Sequence, residues 1–175
     1  ERAARILHSF GGAGTGVAAH ILHSPVAHDE WRVSVLANAG RAALTSGSTD
    51  DAVAFLERAL LEMREDDSRR HELLMDAARA NLAAGEPTVA VAHWREALAL
   101  VRDSGARSRI LANLGNALFE AGDSVAAEAA YAQGISELTA ARIATTEPIY
   151  RELVARGQSV PPSLPPNPTI HARAD

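Results

Sequence analysis

Three glycines, Gly47, Gly85 and Gly122, recur 38 and 37 residues apart, and the residues around them repeat in register. A small residue (Gly40, Ala78, Gly115) lies seven positions before each glycine, and an alanine (Ala52, Ala90, Ala127) lies five after it. A large residue (Leu56, Trp94, Tyr131) follows that alanine by four, and another small one (Ala59, Ala97, Gly134) comes three later. Spacings of three, four and seven are those of a helix face, and a period of this length suits a unit of two helices and a turn. The glycine is expected to take the left-handed conformation that closes the first helix of each unit. Ser48-Thr49-Asp50, Glu86-Pro87-Thr88 and Asp123-Ser124 then cap the second helix or supply its first turn. The small residue in the first helix and the alanine in the second let the two backbones approach. The large residue fills the space between units, so Trp94 should be buried between the second and third.

Composition agrees with close-packed helices. Hydrophobic residues make up 47% of the 175 residues but aromatics only 4%, and alanine, the best helix former, supplies much of the rest. A sandwich or barrel would call for β-branched and aromatic residues instead. There is no cysteine, which excludes disulfides, thiolate metal sites and a cysteine nucleophile. All 17 basic residues are arginine, so no lysine is available for a Schiff base or a phosphate-binding loop. A net charge of -5 without a basic tract argues against nucleic-acid binding by this segment itself. No apolar run approaches the ~20 residues needed to cross a bilayer, so no membrane partner is expected; the lack of cysteine fits the expected cytoplasmic location. The start, Glu1-Arg2-Ala3-Ala4-Arg5, reads as that of a fragment of a longer protein.

Several motifs invite a chemical reading and lose to a plainer one. Gly11-Gly12-Ala13-Gly14-Thr15-Gly16 lacks the lysine and hydroxyl residue of a phosphate loop, because Val17-Ala18 stand in their place, and Arg2–Phe10 has a helical pattern where a dinucleotide fingerprint needs a strand. His20 and His23 could share a helix face, but Pro25 separates them from His28 and no carboxylate falls at matching spacing. His93 has no evident partner. The acidic run Glu62–Asp67 reads as a solvated link between units. The tail from Pro161 has proline-ligand spacing but reads as a spacer or strap. No catalytic residue, metal site or cofactor is therefore assigned, and the expectation is that the chain is not an enzyme.

Over roughly residues 33–138 the pattern resembles the tetratricopeptide repeat. It departs from that family in its period, which exceeds the usual ~34, and in lacking the closing proline. The extra length falls in the links Arg64–Arg70 and Arg102–Arg107, expected to bulge or to extend the second helices. The resemblance implies an all-α fold of tetratricopeptide-like antiparallel helix pairs in a right-handed superhelix, with flanking capping helices. The implied division is an N-terminal helical junction over 1–30, three repeats over 31–140, a capping helix over 141–157 that begins as a helix at Pro148, and an extended proline-rich tail over 158–175. In tetratricopeptide stacks the first helix of each pair lines the concave groove. Carried over by position, this puts Arg41, Arg79 and Asn116 at equivalent groove sites, with Leu44, Leu82 and Phe119 three residues further on. A polar row beside an apolar row suits an extended or helical peptide with an acidic group near an anchor side chain. The competing reading is that the arginines only solvate the face or pair with Asp76 and Glu120. The family's lysine-based carboxylate clamp is not implied, since lysines are missing.

The N-terminal third carries a second resemblance. Arg2-Ala3-Ala4-Arg5-Ile6-Leu7, a glycine loop, Val17-Ala18-Ala19-His20-Ile21-Leu22 and a proline lead into the first repeat helix. This looks like the junction in large ATP-dependent LuxR-type bacterial transcription regulators, where the nucleotide-binding module gives way to helical repeats. The resemblance implies a regulatory middle segment whose partner is a protein or peptide, including the parent's own ATPase module, or a small inducer. A repeat scaffold from another multidomain signalling protein, an ATPase or cyclase, is the alternative. A small-molecule- or metal-binding enzyme is the reading least supported.

Overall fold

The computed structural model describes residues 14–157. The helix expected over 1–9, the first part of the glycine loop and the proline-rich tail lie outside them. The described residues are all-α, with seven helices and no strand: α1 (Gly14–Leu22), α2 (Glu30–Ser46), α3 (Thr49–Glu62), α4 (Arg70–Ala83), α5 (Pro87–Leu100), α6 (Ser104–Glu120) and α7 (Ser124–Ala155). Each packs chiefly on its neighbours in the chain. The tightest partners are α2 with α3, α4 with α5 and α6 with α7, while α3 also meets α4 and α5 meets α6. The short α1 lies on α2 and α3, burying Val17, Ala18 and Ile21. No helix among the described residues is long and apolar enough to cross a membrane.

The three turn glycines close the first helix of each pair by one device. Gly47, Gly85 and Gly122 have φ of 83°, 81° and 85°, a region that penalises any side chain. The following N–H reaches back in each case: Ser48 to Ala43 O at 2.9 Å, Glu86 to Asn81 O at 2.8 Å, and Asp123 to Leu118 O at 2.9 Å. The helix starts vary more. Pro87 sits in the first turn of α5, whereas Asp29, Asp103 and Asp123 cap α2, α6 and α7 through side-chain oxygens that accept from Trp31, Ala106 and Ala126 N–H.

Within a pair, the small residue of the first helix receives the large one of the second. A methyl on Gly40 would lie 2.5 Å from Leu56 Cγ, and one on Gly115 would lie 2.5 Å from the Tyr131 ring. The sequence reading placed these large residues between units; Leu56 and Tyr131 also seat on the glycine of their own pair. Trp94, at the equivalent position of α5, is buried, with the Arg79 guanidinium 5.8 Å from its ring centroid.

An arginine at the start of each first helix joins the pairs. Arg32, Arg70 and Arg107 each lie fifteen residues before a turn glycine. Arg107 donates from Nε to Glu137 Oε1 at 2.7 Å and from Nη1 to the carbonyls of Leu98 and Val101, at 3.1 and 3.0 Å. Arg70 repeats this with Glu96 Oε1 at 3.0 Å and Leu60 O at 3.4 Å. In each the cation ties the end of the preceding helix, where carbonyls are left without intrahelical partners, to a glutamate on its own pair.

Two segments differ from expectation. The link over 102–107 is mostly helix, because the Asp103 cap starts α6 at Ser104; the link over 64–70 does stay outside a helix up to Arg69, in turns closed by Asp67 N–H to Arg64 O and Arg70 N–H to Asp67 O. The separate capping helix expected over 141–157, starting at Pro148, is instead the far part of the continuous 32-residue α7. Pro148 removes the N–H that would bond Ala144 O, but both residues are exposed, so water can satisfy the freed carbonyl.

The glycine seats predict unequal costs. Gly→Ala in a helix interior ordinarily gains up to about 1 kcal/mol. Gly40→Ala should instead destabilise by about 1–3 kcal/mol, because Leu56 is fully buried and cannot move aside. Gly115→Ala should cost less, because the half-exposed Tyr131 ring can swing outward. Trp94→Ala should cost about 3–5 kcal/mol. Urea melts of the three variants check all these values.

Candidate functional site

The candidate groove residues lie on α2, α4 and α6, and the structure joins two of them through a third side chain. Arg41 Nε donates to Asp76 Oδ2 at 2.6 Å, and Arg79 Nη1 donates to Asp76 Oδ1 at 2.7 Å. Asp76 is mostly buried while both guanidiniums stay about half exposed. One carboxylate thus draws together arginines from successive units and leaves a local excess of one positive charge. The competing reading, that the arginines pair with Asp76, describes these bonds correctly; Glu120 makes no ion pair among the described residues.

The remaining candidates are arranged differently. Asn116 does not join the arginines: its Oδ1 accepts from Tyr131 OH at 2.6 Å. Leu44 and Leu82 are partly buried against the core, whereas Phe119 is 63% exposed. The apolar row is therefore open mainly at the third unit. Among the described residues, cavities also lie elsewhere. One, of about 380 Å³, is lined by Thr15 of α1 and by Trp31, Val35, Asn38 and Ala42 of α2. The other, an open cleft of about 690 Å³, follows the link after α3 and is lined by His28, Leu61, Met63, Glu65 and Arg70.

The acidic run Glu62–Asp67 is not uniformly a solvated link. Glu62, its first member, is fully buried and anchors a charge network. Its Oε2 accepts the Ala27 N–H at 2.9 Å, and its Oε1 accepts Arg58 Nη2 at 2.8 Å and Arg32 Nη1 at 3.3 Å. Arg32 also donates to Pro25 O at 2.7 Å, and Arg58 to Ser24 O at 2.6 Å and Leu22 O at 3.1 Å. The network pins the end of α1 and the segment 23–29 onto α2 and α3. Burial alone would raise the Glu62 carboxyl, but the Ala27 N–H and the two guanidiniums outweigh it and hold the pKa at about 2.

His93, without a visible partner in the sequence, has one in space. Its Nε2 lies 2.7 Å from Glu57 Oε1, which also accepts from Asn81 Nδ2 at 2.8 Å. The histidine hydrogen bond, helped by Asn81, holds the Glu57 carboxyl below its ordinary value against the opposing effect of burial. These contacts span 24 and 36 residues, so no local pattern could reveal them. The arginines at 32, 70 and 107 did carry a signal, their recurrence at the repeat period.

Among the described residues no three histidine, aspartate or glutamate side chains are placed to hold a metal. Gly14 and Gly16 belong to α1 rather than to a loop, and His20, His23 and His28 are all exposed. No family model matches the chain, and none of the curated proteins compared with it does.

The Glu62 network predicts a pH dependence of known sign. A carboxyl with a lowered folded pKa contributes stability that is present above its unfolded value, 4.5, and lost as the pH falls toward about 2. Glu62→Ala should cost about 3–5 kcal/mol at pH 7, since it removes the buried carboxylate that Arg32 and Arg58 share. The gap between the parent chain and the variant should narrow steadily from pH 4.5 to pH 2, as followed by urea melts.

Proposed function

We propose that this chain is a non-catalytic protein-interaction and sensor module, built as a tetratricopeptide-like right-handed superhelix. Three helix pairs closed by left-handed glycines, joined in chain order and tied by an arginine at each start, support that architecture. The context we propose is the regulatory middle segment of a LuxR-type transcription regulator. The sequence of 2–22 and the repeats that follow it support this; the alternative of a scaffold from another signalling ATPase or cyclase rests on the repeats alone.

The observation that carries the binding role is the pair Arg41 and Arg79 meeting on Asp76. Three side chains from neighbouring units form one half-exposed cationic spot; Leu44 and Leu82 lie about a turn away on the same helices, and Phe119 holds the equivalent position on α6. Each guanidinium commits only one nitrogen to Asp76, so further N–H groups remain to receive a carboxylate. The partner this fits is a peptide segment with an acidic group near an apolar anchor, presented by another protein or by an ATPase module of the parent. A small inducer carrying a carboxylate would use the same donors.

Selection from a displayed peptide library tests the reading. The enriched peptides should place Asp or Glu next to Leu or Phe. Arg41→Gln with Arg79→Gln should weaken them about tenfold or more while leaving the helical circular dichroism unchanged. Equal binding by the double variant would move the site away from this face.

A further inference from the structure

The first helix of each unit turns one face toward the chain that precedes it, and the repeat lets that face be compared three times. On α4 it carries Leu73, Ala77 and Ala80, and on α6 it carries Ile110, Leu114 and Ala117, all of them buried. The helix that comes before packs on each, α3 on α4 and α5 on α6. On α2 the equivalent residues are Val35, Ala39 and Ala42. Val35 and Ala39 are buried, but Ala42 is exposed.

The difference follows from the size of the cover. Among the described residues the helix before α2 is α1, nine residues long against seventeen for α2, so it covers part of the face. The gap that remains is the cavity of about 380 Å³. Trp31 and Val35 form its apolar side, and Thr15, Ser34, Asn38 and Ala42 stand at its exposed edge. The volume falls within the ~300–1,000 Å³ range of small-molecule sites.

The edge is polar without being charged. The positions of Ser34 and Asn38 hold Glu72 and Asp76 on α4, and Arg109 and Asn113 on α6. Charge is thus absent from these positions in the one unit where the face is open, and no charged side chain among the described residues lines the cavity. The Ser34 hydroxyl is donated to Glu30 O at 3.1 Å. Among the described residues the Thr15 hydroxyl and the Asn38 amide make no hydrogen bond. A donor and an acceptor therefore stand uncommitted on each of two helices that border one apolar hollow.

We propose that this cavity binds a neutral, largely apolar small molecule that carries a hydrogen-bonding group. The apolar body lies against Trp31 and Val35, and the polar group meets Asn38 or Thr15 at the edge. A charged molecule would give up water on entering and find no opposite charge there. An occupant that touches both Thr15 and Asn38 joins the start of α1 to α2, as Arg58 of the Glu62 network already holds its end. The inference goes beyond the peptide site and does not rest on it, since Arg41 turns from this face toward Asp76 on α4.

Dye binding to the 175-residue chain tests it. N-phenylnaphthylamine is neutral, apolar and bears one N–H, and anilinonaphthalene sulfonate has the same body with an added charge. In fluorescence titrations the neutral dye should bind one per chain with a micromolar Kd, and the sulfonate should bind about tenfold more weakly or worse. Ala42→Phe, which fills the hollow, should weaken the neutral dye about tenfold or more, and Asn38→Ala about threefold. Both positions are exposed, so each variant should keep the parent's helical circular dichroism and melt. Ile135→Asp with Leu138→Asp, on the exposed apolar part of α7, should leave the dye's affinity unchanged. Absence of saturable binding, affinity that survives Ala42→Phe, or loss of the dye with the α7 pair would each overturn the proposal. Equal binding of the two dyes would overturn the neutral class.

Discussion

The arginine at the start of each first helix is the constraint on which the joining of the units depends. A helix ends with carbonyls that its own N–H groups cannot reach, and a helix laid across that end buries some of them. Arg70 and Arg107 supply the donors from the incoming helix. Each also has to be neutralised, and Glu96 or Glu137 does so from the same pair. The task needs a forked group that serves a carbonyl and a carboxylate at once. Arginine has that geometry and lysine does not. At the first unit the acid is Glu62, which lies in the same repeat register as Glu137, and Arg58 joins as a second cation. The joint that is partly buried at the third unit is thus fully buried at the first, where it also holds α1.

The pairs themselves are set by size rather than charge. A glycine or alanine on the first helix faces a large residue on the second, and the three solutions differ in consequence. Gly40 receives a buried leucine, so the contact is rigid. Gly115 receives a tyrosine whose hydroxyl turns outward to Asn116, so the contact is half polar and stands at the surface. At the second unit Trp94 takes the position and its Nε1 is buried without a hydrogen-bond partner. An indole N–H left unpaired is a cost; the large apolar area that Trp94 buries and the Arg79 cation near its ring offset it.

What the sequence made legible was what acts over short range. The turn glycines, the proline in the first turn of α5 and the Asp123 cap each work within five residues, so spacing located them, whereas Asp29 and Asp103 were not read as caps. The charge network around Glu62 was not legible in this way. Glu62 opens an acidic run whose next members are exposed, and only the helix end at Met63 and the return of segment 23–29 bury it. His93 and Glu57 meet across two intervening turns. Pro148 misled in the opposite direction, since a proline that reads as a helix start is tolerated inside α7 where the freed carbonyl faces solvent. The candidate groove was legible as positions but not as chemistry. Arg41 and Arg79 could be placed at equivalent sites from the repeat. Their convergence on Asp76, and the diversion of Asn116 to Tyr131, depend on how successive units are set against each other.

That convergence shapes what the proposed groove can bind. Asp76 already satisfies part of each guanidinium, so an incoming carboxylate gains less from the pair than it would from two free arginines. It still meets donors whose orientation is fixed in advance, which lowers the entropy lost on binding. The charges therefore favour selection and registry, and most of the affinity must come from apolar contact. Of the three apolar positions only Phe119 is widely open, Leu44 and Leu82 being partly used by the core. A bound segment would gain most by laying its anchor at the third unit and its acidic group toward the first two. That polarity gives the face a direction, and it follows from which of three equivalent side chains the fold leaves uncovered.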